Sequence, residues 1–312
     1  MRIAIVKQNL SAHGGLEKQT RHLFDALKER GCQVTLLPKV DNPSGFDVIL
    51  GIDRTLNQTH HRAGNGVHAA YLKHRNSPLS SLMPRHRRLL RFEKAMLAST
   101  SLRHIVTNSN MVKQEFVKLY NYDPEKITTI HNGVEWSEMQ PAFDSSVKDD
   151  TLHFLFVGQD FRRKGLKPLL LALAQRKSLS WQLTVIGHDR HLPYYQKLAK
   201  RYGIEKRITF TGHTDALPYY QRAHALILPT LYDPFANVTV EALAMGLPVI
   251  TTPTNGGSEI INATNGIVST DLHAALDQFL QTRWDRNAIR NSVQHLDFAN
   301  QLNAYAEVLI AT

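Results

Sequence analysis

Two carboxylates, Asp233 and Glu241, stand eight positions apart in residues 229–252, PTLYDPFANVTVEALAMGLPVITT. The apolar run Ala225-Leu-Ile-Leu reads as a buried strand. Val238, Val240, Leu243 and Ala244 then recur at roughly helical spacing until Gly246, and Leu247-Pro-Val-Ile-Thr starts another strand. Asp233 is therefore expected on the loop at a strand's carboxyl end, and Glu241 one turn into the helix that follows. Open α/β sheets collect their ligands there. The backbone N–H groups of Ala236, Asn237 and Val238 are expected to point out of the helix N-terminus, ready for an anion. Acceptors beside exposed amides suit a ligand carrying both hydroxyls and phosphates, whereas two acids at this spacing alone would be ordinary helix-start charge.

Two glycine-bearing loops lie earlier in the chain. His13-Gly14-Gly15 follows the strand Arg2-Ile-Ala-Ile-Val and precedes an amphipathic helix, an order that lets backbone approach a phosphate. The second, residues 62–71, reads Arg-Ala-Gly-Asn-Gly-Val-His-Ala-Ala-Tyr and holds Asn65 and His68; of the two, only the imidazole has a pKa suited to proton transfer. Farther on, Arg85, Arg88 and Arg91 fall at helical spacing, with Leu89, Phe92, Met96 and Leu97 expected on the buried side. Such a basic amphipathic helix is expected to meet an anionic membrane surface or another anionic partner.

The block from Asp233 to Val249 resembles the signature of the retaining, nucleotide-sugar-dependent glycosyltransferases of family 4. The match reads Asp233-x7-Glu241, then Ala242-Leu-Ala-Met-Gly-Leu-Pro-Val. The first acid is more often Glu in that family, so Asp233 is a shortened version. The resemblance implies an α/β fold of two Rossmann-like domains facing a cleft (GT-B). It gives Glu241 to the ribose hydroxyls, Asp233 to sugar hydroxyls, and the backbone of Phe235, Ala236, Asn237 and Val238 to the sugar or diphosphate. Gly158, Arg163 and Lys164, in Val157-Gly-Gln-Asp-Phe-Arg-Arg-Lys-Gly165, match the strand end and the basic pair that hold the donor diphosphate. That role suits both cations, since the leaving diphosphate gains charge as the sugar bond breaks. Gly14 and Gly15 match the family's first loop, which lies across donor diphosphate and acceptor. The 62–71 loop is similar to a segment of enzymes that build the inner core of bacterial lipopolysaccharide. An aspartate usually stands there in place of Asn65, and an amide cannot accept a proton. His188 and His213, after two further strand-end glycines, fall where the family places the nucleotide base.

Composition fits this reading. At 312 residues and 42% hydrophobic, the chain is long enough for two domains with full cores. No apolar run approaches bilayer-spanning length, the first residues form a strand rather than a signal peptide, and a single cysteine, Cys32, excludes an internal disulfide framework. These features predict a cytoplasmic protein, peripheral on the inner face of the membrane. The net charge of +10 is concentrated: between positions 54 and 118 stand twelve Lys/Arg and two acids, Glu93 and Glu115. No interleaved aromatic platform accompanies that stretch, so no nucleic acid is expected as a partner. No metal and no cofactor are expected either.

The polar run from Asp144 to Asp150 after Pro141 predicts a linker over residues 136–150. The expected division is an acceptor-binding domain over 1–140, a nucleotide-sugar domain over 141–295, and a last helix over 296–312 that crosses back to the first domain. The partners implied are a nucleotide diphosphate sugar, with UDP favoured, and a phosphorylated glycolipid acceptor. The readings set against this one are transfer onto another surface polysaccharide or glycolipid, a sugar-nucleotide epimerase of the same architecture, and a nucleic-acid binder.

Overall fold

In the computed structural model, residues 1–8, 15–40, 43–75, 83–145 and 150–311 are described, 15–19 by backbone alone. The chain divides into two units, Met1–His131 with Ala299–Thr312, and Asn132–Phe298.

In the first unit β1 (Arg2–Val6), β2 (Gln33–Leu37), β3 (Val48–Gly51), β4 (His60–Arg62), β5 (His104–Thr107) and β6 (Ile127–Thr129) form one sheet in the order β2-β1-β3-β4-β5-β6. Every pairing is parallel, with Ile5 opposite both Leu36 and Leu50. A parallel sheet is covered on both faces, and after the exposed Arg2, residues 3–6 of β1 accordingly read as an unbroken apolar run that is almost fully buried. Ile3, Ile5, Leu27 and Leu50 pack with Tyr305, Ala306 and Leu309 of the last helix, Phe298–Ala311.

Polar composition hides β4 in the sequence. His60 and His61 are buried as neutral rings, and His60 Nδ1 lies 2.8 Å from Thr59 Oγ1. Burial is the main cause that holds His60 down to about 4 and His61 to about 3, with help from nearby His104 and Arg103 for the first and Arg54 for the second.

The second unit holds β7 (Leu152–Val157), β8 (Trp181–Ile186), β9 (Ile208–Gly212), β10 (Ala225–Leu228), β11 (Val249–Thr251) and β12 (Gly266–Val268), in the order β12-β11-β10-β7-β8-β9. This sheet too is parallel throughout. Alternation along the strands builds two cores. Phe154, Phe156, Ala225 and Ile227 face Leu169, Leu170 and Leu173, while Leu155, Val157 and Leu226 face Val240, Leu243 and Ile289. The chain winds outward from β7 in one direction through β8 and β9, then restarts beside β7 at β10. The carboxyl ends of β7 and β10 therefore flank a topological switch point.

The expected linker is corrected over its first part: Trp136–Asp144 is a helix of the second unit. Trp136, Met139 and Phe143 recur on one face and pack against the core of Val240, Leu243 and Ile289, and the Arg290 guanidinium covers Trp136 at 4.2 Å and Phe143 at 4.5 Å. That aromatic face outweighs the cost of Pro141 inside the helix. Residues 146–149 of the expected linker lie outside the described residues. Among the described residues no helix is long and apolar enough to cross a membrane.

Candidate active site

The loop after β7 is shaped by its glycines. Gly158 has φ +154°, and a Cβ there would meet the Lys164 side chain at 3.1 Å, so the lysine stem lies directly across it. Asp160 caps the one-turn helix Phe161–Lys164 by accepting the Arg163 N–H at 3.3 Å. Gly165 then ends the turn at φ +84°, where a Cβ would fall 1.9 Å from the Pro229 carbonyl oxygen. Only glycine lets this loop lie so close to the end of β10. The contact continues in hydrogen bonds, since the Arg163 carbonyl accepts from Leu231 N–H at 2.7 Å and from Thr230 Oγ1 at 2.8 Å.

These loops bring Arg163 and Lys164 onto one carboxylate oxygen. Asp233 Oδ2 is 2.6 Å from Arg163 Nη1 and 2.7 Å from Lys164 Nζ. Arg163 Nη1 also donates to the Tyr232 carbonyl at 3.1 Å, and its Nε lies 3.5 Å from Asp160. Asp233 is only 6% exposed, and burial alone would raise its carboxyl; Lys164 and Arg163 outweigh that and hold it below the usual carboxylate range. Both cations thus converge on one carboxylate oxygen at the strand end, where a ligand phosphate could share them.

Asn255, fully buried, braces the Asp233 loop. Its Oδ1 accepts from Ala236 N–H at 3.2 Å and Gly257 N–H at 3.0 Å, and its Nδ2 donates to Thr239 Oγ1 and Thr251 Oγ1. Of the three amides expected at the helix start, that of Ala236 is thus already engaged. The helix Asn237–Ala244 begins immediately after, with no side-chain cap from Ala236. Asn237 Oδ1 accepts from Asn132 Nδ2 at 2.7 Å, and the Phe235 ring packs into the core of Val240, Leu243 and Ile289. The sequence places Asn255-Gly-Gly on a strand-end loop, but its bracing of the Asp233 loop depends on partners distant in the chain.

Glu241 is half-buried, and its Oε2 accepts the Tyr220 hydroxyl at 2.9 Å. Burial raises its carboxyl, against the opposing pull of that hydrogen bond and of Lys164. Both carboxylates therefore feel the same lysine, which joins Arg163, Lys164, Asp233 and Glu241 into one cluster of the second unit. His188 and His213 are exposed beyond the ends of β8 and β9.

In the first unit Gly14 lies outside the described residues, and Gly15 opens the helix Gly15–Glu29. Asn65 is exposed in a turn closed by Gly66 N–H to the Ala63 carbonyl at 3.0 Å. His68 is buried at the start of the helix His68–His74, its Nε2 3.1 Å from His86 Nδ1. His86 Nε2 in turn lies 2.7 Å from Arg75 Nη1. Because a guanidinium only donates, His86 must accept on Nε2 and donate from Nδ1, so His68 Nε2 is an acceptor held inside the fold. Burial, partly offset by Glu93, lowers the pKa of His68.

Glu93, which the sequence offered only as a counter-charge, is the hub of this region. It is fully buried, accepts from His68 N–H at 2.9 Å and Tyr120 Oη at 2.5 Å, and pairs with Arg54 at 3.2 Å. Arg54 also donates to the Gly66 carbonyl at 2.7 Å. The helix Pro84–Leu97 that carries Glu93 buries His86, Glu93 and Met96, which corrects the expected face: Leu89, Phe92 and Leu97 are only half-buried. The reason is that Glu93, satisfied by the His68 and Ala69 N–H groups, the Tyr120 hydroxyl and Arg54, can occupy the inward position. Arg85, Arg88 and Arg91 are exposed as expected, and the last two line an open groove with Arg87, Pro84, Phe92 and Ala95.

Two parallel six-stranded α/β units, with a basic and acidic cluster at the switch point of the second, have the architecture of the GT-B fold. Residues 58–138 match the model of glycosyltransferase family 4, and residues 151–282 that of the group 1 glycosyl transferases. The chain belongs to this family. An uncharacterized glycosyltransferase of Methanocaldococcus jannaschii, MJ1607, is 29% identical over 52% of this chain and 46% of its own length. The chain spans about half the length of the curated relatives that match first. Lipopolysaccharide glucosyltransferase WaaG of Escherichia coli K12 is 24% identical over 86% of this chain and 73% of that protein. A crystal structure of WaaG superposes with a TM-score of 0.80 at 20% identity, covering 99% of this chain and 100% of that one. Anabaena Alr3699/HepE in complex with UDP gives a TM-score of 0.73 at 17% identity, with both chains fully covered.

Proposed function

We propose that the chain moves a hexosyl unit from a nucleotide diphosphate sugar, UDP-sugar favoured, to a phosphorylated, membrane-associated glycolipid such as lipopolysaccharide core. The observation that carries the donor half is the meeting of Arg163 and Lys164 at the Asp233 carboxylate on the switch point of the second unit. A leaving diphosphate gains negative charge as its bond to the sugar breaks, and two preset cations stabilise that charge. Glu241 is read as the acceptor for ribose hydroxyls, and Asp233 for those of the sugar. The UDP complex of HepE and the lipopolysaccharide glucosyltransferase WaaG support this choice of donor and acceptor class.

The transfer is read as retaining and metal-independent. The acceptor hydroxyl oxygen bonds to the anomeric carbon on the face the diphosphate leaves. The C–O bond to phosphate breaks with its electron pair going to the phosphate oxygen, which takes the hydroxyl proton. The acceptor is assigned to the first unit, with Asn65 beside it and the exposed Arg85, Arg88 and Arg91 on an anionic membrane surface at the cytoplasmic face. Each basic residue near such a leaflet is worth about 1 kcal/mol.

Thermal shift against UDP-, GDP- and ADP-sugars, followed by NMR of the product anomer with and without EDTA, tests the reading. Stabilisation by a nucleotide sugar and a product of unchanged anomeric configuration are expected. Inversion, or a trapped covalent glycosyl-enzyme, would contradict the mechanism. Release of rearranged sugar without any acceptor would point to an epimerase instead.

A further inference from the structure

Tyr220 sits on the helix Leu217–Arg222 between β9 and β10, packed in the core of the second unit that holds Leu226, Val240 and Leu243, and is 1% exposed. A buried tyrosine needs a partner for its hydroxyl, and a backbone carbonyl is the usual choice in a core. Here the partner is Oε2 of Glu241, at 2.9 Å, on the helix Asn237–Ala244. Burial and the nearby Glu241 carboxylate both push the Tyr220 hydroxyl well above its ordinary pKa, so it remains a proton donor at any working pH.

Glu241 has three rotatable side-chain bonds and feels the positive charge of Lys164. Left to itself its carboxylate would sample several orientations, and Lys164 would draw it toward the cations. A phenol fixed by its ring in the core removes that freedom. It takes one oxygen, Oε2, in a set direction and thereby sets the plane of the carboxylate and the direction of Oε1.

We propose that Tyr220 is the positioning residue of the ribose subsite, holding the Glu241 carboxylate in the orientation that accepts the ribose hydroxyls of a nucleoside diphosphate. This rests on the assignment of Glu241 to ribose above. Preorganisation of this kind acts only through the group being positioned. The effect of losing Tyr220 must therefore depend on the hydroxyls that Glu241 would bind, whereas loss of a merely structural tyrosine would not.

The experiment is titration calorimetry with UDP and 2′,3′-dideoxy-UDP on the wild type, Tyr220→Phe, Glu241→Ala and the double variant. Removing one directed hydrogen bond is expected to weaken UDP binding roughly fivefold to tenfold in Tyr220→Phe. Binding of the dideoxy nucleotide should stay within about twofold, and Tyr220→Phe should add nothing further in the Glu241→Ala background. Equal weakening of both nucleotides would overturn the proposal, because it is the mark of a structural role. If Glu241→Ala discriminates between the nucleotides but Tyr220→Phe does not, the ribose assignment stands and the positioning role falls. If Glu241→Ala does not discriminate either, the ribose assignment itself is wrong. The double-variant comparison keeps the test decisive even where Tyr220→Phe lowers the melting temperature.

Discussion

Replacing Asp233 by Asn should make the protein less stable, bind UDP more tightly and transfer sugar more slowly. The structure sets each sign. Asn keeps the shape but removes the charge that Arg163 and Lys164 share at 2.6 and 2.7 Å. Breaking a buried ion pair from one side costs about 3–5 kcal/mol, because the other charge is left uncompensated. The Arg163 side chain is 27% exposed and retains the Tyr232 carbonyl, so its share is screened, while Lys164 is 10% exposed and carries most of the cost. A loss of about 2–4 kcal/mol follows, or roughly 5–15 °C in the melting temperature of a unit this size. The same cations should then hold a diphosphate more firmly. A carboxylate about 5 Å from a phosphate charge, at an effective dielectric of about 20, repels it by on the order of 3 kcal/mol, so UDP affinity should rise on the order of a hundredfold. Transfer should nevertheless fall, because Asp233 no longer orders sugar hydroxyls. Thermal shift with and without UDP, calorimetry with UDP, and initial rates with the nucleotide sugar measure all three. UDP binding that weakens in Asp233→Asn, or a stability within 1 kcal/mol of the wild type, would refute the claim that carboxylate and diphosphate share these cations.

Lys164→Met, which leaves Asp233 paired with Arg163, should destabilise less than Asp233→Asn and cut kcat by about 10²–10³ with a smaller change in KM; equal effects on both would point to ground-state binding alone. Glu93→Gln removes the ion pair with partly exposed Arg54 and should cost about 2–4 kcal/mol in urea unfolding, so a change under 0.5 kcal/mol would deny Glu93 its place as a hub. His60 and His61 are held below 6.5, so the unfolded chain binds protons first as pH falls. Their stability contribution is intact above pH 6.5 and is lost toward about 4 and about 3, together up to about 2.7 kcal/mol per pH unit. Hydrogen exchange of β1 and β3 amides between pH 7 and 5 measures this, and flat protection would contradict it. Reversing the charges of Arg85, Arg88 and Arg91 should release the protein from anionic vesicles, and unchanged retention would count against the membrane reading.

The strands legible in the sequence were those whose burial is written in apolar residues. Val-Ile-Leu in β3 and Ala-Leu-Ile-Leu in β10 can only be interior, whereas His-His-Arg in β4 is interior because neutral imidazoles find partners such as Thr59. Composition does not reveal a partner. The same limit explains Glu93, whose burial depends on donors from Arg54, His68 and Tyr120, far apart in the chain. Trp136–Asp144 was obscured by Pro141 and by the polar run after it, although its aromatic period was present. The acidic and basic residues of the second unit were readable because each follows a strand end. Their pairing was not, since nothing local says that Asp233 faces Lys164.

That pairing also separates two carboxylates that look alike in the sequence. Asp233 is held below the usual carboxylate range by two cations, and Glu241 is raised by burial with only a phenol and a more distant lysine to oppose it. Asp233 therefore stays ionised further into acid than an ordinary aspartate, and its work is with charge and with strong donors. Glu241 gains least from ionising and most from directed hydrogen bonds, which is the character a vicinal diol requires. Opposed environments at two nearby carboxyls mark two tasks, and here they follow from chain geometry. A side chain one methylene shorter than Glu reaches Lys164 and Arg163 from the β10 loop, while Glu241 rises from the helix behind it to meet Tyr220.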